Sequence, residues 1–284
     1  MSVQKAYKSL LFQLYEIYNN REAAIIANMV IEHITGLSKI DRIINKDYKL
    51  TTLENELLLT ITVKLLAHIP VQYAINECWF GTNKFYVDEN VLIPRPETEE
   101  LIEWITADIK KSSENLKILD IGTGSGCIPI TLKSKTPHAE IYALDISEGA
   151  LSVAAKNAKK INANISFIQT NFLEEINWDI GQFDIIVSNP PYVKASEKEE
   201  MQKNVVLYEP HLALFVEDDD PLLFYRKIAK FGIEHLKTNG TIYVEINESL
   251  GQETKKCFES FNYKVELKKD LQHKDRMIKA FLVH

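Results

Sequence analysis

The chain has 284 residues, enough for one large domain or two ordinary ones. Hydrophobic residues make up 45% of it and charged residues 26%, a globular composition that excludes the disordered and fibrous classes. The net charge is −7 and the whole acidic excess follows residue 80, which disfavours a protein that grips nucleic-acid phosphates.

The sequence shows no targeting or membrane segment. No run of about 18 apolar residues occurs, and the first twenty residues lack the charge, apolar core and cleavage order of a signal peptide. Cys78, Cys127 and Cys257 lie far apart, without the spacing of a zinc site or a disulfide framework. We therefore expect a cytoplasmic protein with no membrane association and no metal.

Residues 1–78 are predicted to form a helical bundle domain. Thr51 followed by Glu54 matches a capping box, and the apolar residues after it recur every three or four positions. Residues 21–36 show the same periodicity and end on Gly36, a residue typical of helix C-caps. No catalytic constellation occurs here, so the expected role of this domain is to bind or position a partner.

Residues 79–93 change to an extended pattern. The stretch WFGTNKFYVDENVLI is rich in aromatic residues around Gly81, which predicts a hairpin that links two domains. The next segment, PRPETEE at residues 94–100, reads as a proline-initiated loop whose acidic residues favour the start of a helix.

Residues 94–284 alternate between strand and helix patterns. The expected strands are LKILDIG, AEIYALDI, NISFIQT, FDIIVS, GTIYVEIN, YKVEL and MIKAFLV, and the expected helices are CIPITLKSK, SEGALSVAAKNAKKIN, DPLLFYRKIAKFGIEHLK and QETKKCFESF. Such alternation predicts an α/β fold with a parallel, doubly wound sheet.

A glycine-rich turn follows the first of these strands. In ILDIGTGSGCI, Asp120 ends the strand, and residues Gly122, Thr123, Gly124, Ser125 and Gly126 form the turn. Glycines allow a sharp turn and close approach of a ligand to the backbone. The second strand ends on Asp145, where an acidic residue can bind ribose hydroxyls.

The ribose acid is shared by two kinds of cofactor site. The glycine spacing differs from the dinucleotide pattern G-x-G-x-x-G. The pattern D-x-G-x-G-x-G resembles instead the S-adenosylmethionine site of Rossmann-like methyltransferases, although this turn alone leaves an NAD-dependent dehydrogenase open. Phe172, after the third strand, is placed to stack on adenine, and Asn171 to bind the adenine amino group.

The fourth strand runs into Asn189, Pro190, Pro191 and Tyr192. Prolines cannot donate to a sheet ladder, so the strand ends here in a rigid loop at its carboxyl end, where α/β sheets bind ligands. In the usual strand order this loop adjoins the glycine-rich turn. A planar amide or aryl-amine NH₂ would donate to the Asn189 side-chain oxygen and the Pro190 carbonyl, with Tyr192 packed on its plane.

This arrangement predicts catalysis by positioning. Two fixed acceptors would localise the nitrogen lone pair and aim it at a methyl group. Alignment can contribute on the order of 7–11 kcal/mol, against about 3–4 kcal/mol for one preorganised hydrogen bond. No histidine, cysteine or metal is required.

The motifs together resemble a known family. ILDIGTGSG followed by SNPPY is similar to the amino-methyltransferases that act on adenine, guanine or glutamine nitrogens. VLIPRPETEEL at residues 91–101, LYEPHLAL at residues 207–214 and PVQYAI before WFG resemble more specifically the peptide-chain release-factor glutamine methyltransferases, the HemK/PrmC family. The resemblance covers nearly the whole chain.

That resemblance implies methylation, with S-adenosylmethionine, of the glutamine side-chain amide in the Gly-Gly-Gln loop of translation release factors. It implies catalytic roles for Asn189, Pro190 and Tyr192, and a glutamine site formed by these residues with Pro191. The implied donor site comprises Gly122, Thr123, Gly124, Ser125, Gly126, Asp145, Phe172 and Asn189. The helical domain and hairpin would help dock the release factor, and PRPETEE would form one wall of the active site.

One departure and two alternatives accompany this interpretation. The family commonly has Asp where this chain has Asn171, although Asn retains an acceptor oxygen. A DNA or RNA amino-methyltransferase acting on an exocyclic base nitrogen shares both motifs, but should show a basic face and a target-recognition insertion. A translation-factor binding module without activity is the third reading, against which the intact motifs argue. We expect a monomer with no direct nucleic-acid substrate.

Overall fold

The computed structural model describes residues 1–109, 115–174 and 181–282. Contacts between residues divide the chain into two compact units. The helical unit comprises Met1–Glu77 with Gln202–Tyr208, and the sheet unit comprises Cys78–Met201 with Glu209–His284. The chain therefore returns once to the helical unit, at Gln202–Tyr208, between two segments of the sheet unit. The hairpin expected in residues 79–93 is part of the sheet unit.

The helices of the described residues are numbered in chain order. They are α1 (Val3–Leu14), α2 (Asn20–Thr35), α3 (Lys39–Ile44), α4 (Thr52–Leu66), α5 (Val71–Ile75), α6 (Pro96–Ile109), α7 (Cys127–Lys135), α8 (Glu148–Ile161), α9 (Lys203–Tyr208), α10 (Leu223–His235) and α11 (Gly251–Glu259).

The strands are numbered in the same way. They are β1 (Cys78–Phe80), β2 (Asn83–Phe85), β3 (Lys117–Ile121), β4 (Glu140–Asp145), β5 (Ser166–Gln169), β6 (Phe183–Ser188), β7 (Val193–Lys194), β8 (Phe215–Val216), β9 (Leu236–Glu245), β10 (Tyr263–Lys269) and β11 (Asp275–Leu282). The last residue of the expected strand MIKAFLV, Val283, lies outside the described residues.

Local signals set the ends of the predicted helices in the helical unit. The Thr51 hydroxyl accepts from the Glu54 amide at 3.2 Å, and the Glu54 carboxylate accepts from the Thr51 amide at 2.6 Å, so the predicted capping box is confirmed. Helix α2 ends at Gly36, which has a left-handed φ of +68°. The buried apolar faces of α1, α2, α4 and α5 form the core of this unit, and the Tyr208 hydroxyl of α9 donates to the Ala67 carbonyl.

The sheet unit is built on a seven-stranded sheet in the described residues, with strand order β10-β11-β9-β6-β3-β4-β5. The five strands from β9 to β5 run parallel. Apolar strand residues alternate between two buried clusters, one with α10 and α11 and one with α6 and α7. The predicted α/β, Rossmann-like architecture with helices on both faces is confirmed.

The predicted parallel, doubly wound sheet is confirmed for the five strands from β9 to β5, and the pairing becomes antiparallel only at the β11 end of the described sheet. Strand β11 runs antiparallel to both β9 and β10. Only residues 270–274 connect β10 to β11. A parallel crossover needs a dozen or more residues, so this short connection permits only a hairpin.

Two other local outcomes have simple physical reasons. Helix α7 contains Pro129, as predicted, because the proline occupies the third helical position, where its missing N–H would have no partner inside the helix. Helix α10 ends at His235, two residues before the expected end, and β9 begins at once with an irregular register opposite Phe183 and Ile185.

Candidate active site

A cavity of about 310 Å³ lies in the sheet unit at the carboxyl ends of β3, β4 and β6. Because β3 pairs in parallel with both β4 and β6, the turns after these strands meet at one edge of the sheet. The predicted site residues that line the cavity are Gly122, Thr123, Gly124, Ser125, Asp145, Phe172, Asn189, Pro190 and Pro191. Gly126 and Tyr192 are not part of the described lining.

The three glycines of the turn are required for different physical reasons. Each has a left-handed φ, +74° at Gly122, +52° at Gly124 and +79° at Gly126. A Cβ at either of the first two would meet open space. At Gly126 it would lie 2.9 Å from Ile130 Cδ1 and 3.2 Å from Ala154 Cβ. The first two glycines therefore leave backbone open to the cavity, and Gly126 permits close helix packing.

Asp145 connects two turns at the cavity wall. One carboxylate oxygen accepts from the Gly124 amide at 2.9 Å and the other from the Ser147 amide at 3.0 Å. Burial raises the pKa of this carboxyl, while the backbone hydrogen bonds oppose the shift. The side chain that sequence analysis assigned to ribose thus also fixes the shape of the glycine-rich turn.

Asp120 is a fully buried carboxyl beneath that turn. Within the part of the chain that the structure describes, neither of its oxygens makes a hydrogen bond of normal geometry, and the Thr123 hydroxyl interacts with the carboxyl closely enough to oppose a rise in its pKa. Burial raises the pKa of Asp120 to about 7, and the nearby charge of Asp145 adds to the shift.

The turn after β5 contributes an aromatic wall. Phe172 is 5% exposed and packs edge-on against Phe231 at a centroid distance of 5.4 Å. The Asn171 side-chain oxygen accepts from the Leu173 amide at 3.1 Å, and its nitrogen donates to Glu174 at 2.9 Å. The side chain that departs from the family pattern therefore stabilises the turn that carries Phe172.

The loop after β6 is held by a buried carboxylate. The Asn189 side-chain nitrogen donates to the Thr98 hydroxyl at 3.2 Å, and that hydroxyl donates to Glu245 Oε2 at 2.7 Å. The Tyr192 hydroxyl donates to Glu245 Oε1 at 2.9 Å, and the Tyr192 carbonyl accepts from Asn247 at 3.1 Å. Burial, and then the charge of Glu245, raise the pKa of Tyr192 well above its ordinary value.

The Tyr192 side chain is directed toward the interior of the sheet unit. Its hydroxyl is directed to Glu245, and the ring packs against the buried cluster next to α10 and α11. Contact between Tyr192 and a substrate stays a prediction. Glu245, which is 1% exposed, was missed by sequence analysis. The available signal was a charged residue inside the otherwise apolar strand pattern of GTIYVEIN.

The PRPETEE segment supplies one side of the cavity. Pro94, Arg95 and Thr98 belong to the lining. The Arg95 guanidinium donates to Glu209 Oε1 at 2.6 Å, and Glu209 Oε2 accepts from the Ile93 amide at 3.0 Å. The Glu209 side chain is almost fully buried. The ion pair joins residues 91–101 to residues 207–214, two of the segments on which the family resemblance rests.

The described ranges contain neither a cluster of metal ligands nor a membrane-spanning helix. There, three or more His, Cys, Asp or Glu side chains nowhere come together in a way that could hold a metal ion. No helix of residues 1–109, 115–174 or 181–282 combines the length and apolar character that a bilayer span requires.

Known proteins resemble this chain at three levels. The profile of the methyltransferase small domain family matches residues 98–215. The chain is 47% identical to the release factor glutamine methyltransferase of Flavobacterium psychrophilum, over 97% of this chain and 98% of that protein. It is 40% identical to the protein of the same name from Bacteroides thetaiotaomicron, over 94% and 95% of the two chains.

A solved structure supports the fold independently. The methyltransferase of Pyrococcus furiosus superposes with a TM-score of 0.50 at 19% identity, covering 69% of this chain and 87% of that one. At this identity the likeness concerns the fold alone. The near full-length relatives, together with the turn and loop that meet at one cavity, show that the chain belongs to the release factor glutamine methyltransferase family.

Proposed function

We propose that this protein transfers a methyl group from S-adenosylmethionine to the side-chain amide nitrogen of the glutamine in the Gly-Gly-Gln loop of translation release factors. One observation carries the proposal. A single cavity is lined by the glycine-rich turn and Asp145 on one side and by Asn189, Pro190 and Pro191 on the other. A methyl donor and an amide acceptor held on these two sides would be adjacent.

The donor side has chemistry suited to S-adenosylmethionine. Gly122 and Gly124 leave open space above their α-carbons, so a ligand can approach the backbone closely. Asp145 ends the second parallel strand, where an acidic side chain suits ribose hydroxyls. Phe172 offers an aromatic surface for adenine. When bound, the donor supplies a methyl group on a positively charged sulfur.

The acceptor side suits a planar amide. In this proposal the Asn189 side-chain oxygen and the Pro190 carbonyl each accept one hydrogen of the glutamine NH₂. The two prolines restrict the loop backbone, so both acceptors stay fixed and hold the nitrogen in line with the methyl group. After transfer the nitrogen loses one proton to solvent. Catalysis is then mainly alignment, with electrostatic stabilisation from fixed acceptors.

A labelling experiment tests the substrate. Purified protein and S-adenosylmethionine labelled in the methyl group are incubated separately with unmethylated release factor, its variant with the Gly-Gly-Gln glutamine replaced, duplex DNA and total RNA. We expect label only on the intact release factor, located on that glutamine by peptide mass spectrometry. Label on DNA or RNA would identify a nucleic-acid amino-methyltransferase, and no label with measurable donor binding would contradict transfer to either class.

The Asn189→Ala substitution tests the acceptor side. Loss of one preorganised acceptor should lower kcat by about 100-fold or more. The donor dissociation constant, measured by isothermal titration calorimetry, should remain within a few-fold of the parent value. Unchanged kcat would remove Asn189 from the mechanism.

Location and assembly are part of the same proposal. We infer that the protein acts as a monomer in the cytoplasm, where its proposed substrate functions. A single species near 32.6 kDa in light scattering would support the monomer, and a stable species of twice that mass would contradict it.

A further inference from the structure

We propose that Thr98 and Glu245 are positioning residues that set the orientation of the Asn189 side-chain amide. The inference rests on the proposed function, because the orientation matters only if Asn189 must present an oxygen to an NH₂ group. Thr98 lies in the first turn of α6, and Glu245 is the last residue of β9. Neither residue belongs to the loop after β6 that carries Asn189.

The direction of each hydrogen bond follows from the groups involved. Burial raises the pKa of Glu245, while the hydrogen bonds from Thr98 and Tyr192 and the charge of Arg276 favour its carboxylate form, which can only accept. The Thr98 hydroxyl, 2.7 Å from Glu245 Oε2, therefore donates its one proton there. The Thr98 oxygen then has only lone pairs left for Asn189, at 3.2 Å. Asn189 must therefore present its NH₂ to Thr98, and its amide oxygen points away from that contact.

Burial removes the alternatives to this arrangement. Thr98 is 2% exposed and Glu245 is 1% exposed, so water cannot readily replace either partner. The second Glu245 oxygen is taken by the Tyr192 hydroxyl at 2.9 Å. A flipped Asn189 amide would set its oxygen against the lone pairs of Thr98 and present NH₂ to the substrate NH₂. Both contacts would be repulsive. The two hydrogen bonds that run from Glu245 through Thr98 to Asn189, here called the relay, therefore select one orientation of the Asn189 amide.

The first test removes only the Thr98 hydroxyl. Thr98→Val keeps the side-chain shape and frees the amide to rotate, so we expect kcat to fall about 10- to 100-fold. The KM for release factor and the donor dissociation constant should stay within about threefold of the parent, since a positioning loss acts on the reacting geometry. Thr98→Ser restores the hydroxyl and should recover most of kcat.

A matched control lies on the same helix. Thr106→Val makes the same change at a partly buried hydroxyl that donates to the Ile102 carbonyl of its own helix, at 2.6 Å. It should leave kcat unchanged. Combining Thr98→Val with Asn189→Ala should cost no more than Asn189→Ala alone, because the relay acts through Asn189. Additive losses, or equal losses in the two valine variants, would overturn the relay.

A second measurement does not depend on activity. In protein labelled with ¹⁵N-asparagine, the Asn189 side-chain signals are identified by their loss in Asn189→Ala. We expect one NH₂ proton to be protected from exchange in the parent and to exchange faster in Thr98→Val, but not in Thr106→Val. Unchanged exchange overturns the relay even if the release factor is methylated. Lost protection upholds the relay even if the release factor proves not to be the substrate.

Discussion

At the scale of single residues, Asp120 shows how burial alters an ordinary carboxyl. The residue is the last but one of β3 and lies between Leu119 and Ile121, whose side chains face the opposite layer, so its own side chain turns toward the layer of α6 and α7 and away from water. Its pKa rises from 3.8 to about 7. Between these values the unfolded chain has lost the proton while the folded protein retains it, so stability falls as pH rises.

This difference gives a pH-dependent prediction for Asp120→Asn. From pH 5.5 to pH 8 the ionisation of Asp120 should lower the parent's free energy of unfolding by about 2 kcal/mol. The Asn variant cannot ionise, so its loss over the same range should be smaller by that amount. Urea denaturation of both proteins at the two pH values measures it. The exposed Asp47→Asn variant is the control, and an identical pH dependence in all three proteins would contradict the prediction.

At the scale of elements, one buried side chain joins a helix, a loop and the glycine-rich turn. Asn157 on α8 is 0% exposed. Its oxygen accepts from the Tyr86 amide at 2.7 Å, and its nitrogen donates to the carbonyls of Tyr86 and Ser125, each at 2.9 Å. The segment after the hairpin and the turn that lines the cavity are therefore held by the same amide.

Asn157→Ala should weaken both the fold and the donor site. The substitution removes this partner from the buried carbonyl of Ser125 and from the partly buried amide and carbonyl of Tyr86, and we expect it to lower the free energy of unfolding by about 3 kcal/mol. Because Ser125 belongs to the turn, the donor dissociation constant should rise as well. Urea denaturation and calorimetric titration measure the two effects. Lys159→Ala, at an exposed position of the same helix, should change neither quantity. A lower stability with unchanged donor affinity would show that Asn157 does not support the donor-binding turn.

At the scale of the whole molecule, the helical unit carries apolar side chains that its own core does not use. Leu59 is 64% and Val63 is 67% exposed. They are four residues apart on α4 and so lie on one face of it. Such side chains contribute little to stability where they are, which is consistent with the expected docking role of this unit.

If that face contacts the release factor, Leu59→Ser combined with Val63→Ser should raise KM for the intact factor several-fold. The kcat should be unchanged, as should the KM for a short glutamine peptide that lacks the rest of the release factor, because only uniform binding is lost. Leu53→Ser, at a 73% exposed position on another face of α4, is the matched control. An unchanged KM for the intact factor would exclude this face from docking.

The sequence by itself determined the features that local rules control. The capping box at Thr51, the C-cap at Gly36 and the tolerated Pro129 depend on a few neighbouring residues. The same holds for the glycine-rich turn after β3 and the proline-terminated end of β6. Parallel pairing then brings these two strand ends together, so the cavity edge was predictable as well.

Only the tertiary structure decided which side chains support that edge. Thr98 and Glu245 are 147 residues apart in the chain, and Asn157 and Tyr86 are 71 apart. The antiparallel direction of β11 between β9 and β10 likewise did not follow from the alternation of strand and helix patterns. Strand and helix periodicity reports which face of an element is buried, but it does not report which distant group fills that space. The orientation of Asn189 and the raised pKa of Asp120 depend on those distant neighbours and on their exclusion of water, and so they emerge only when the chain is packed.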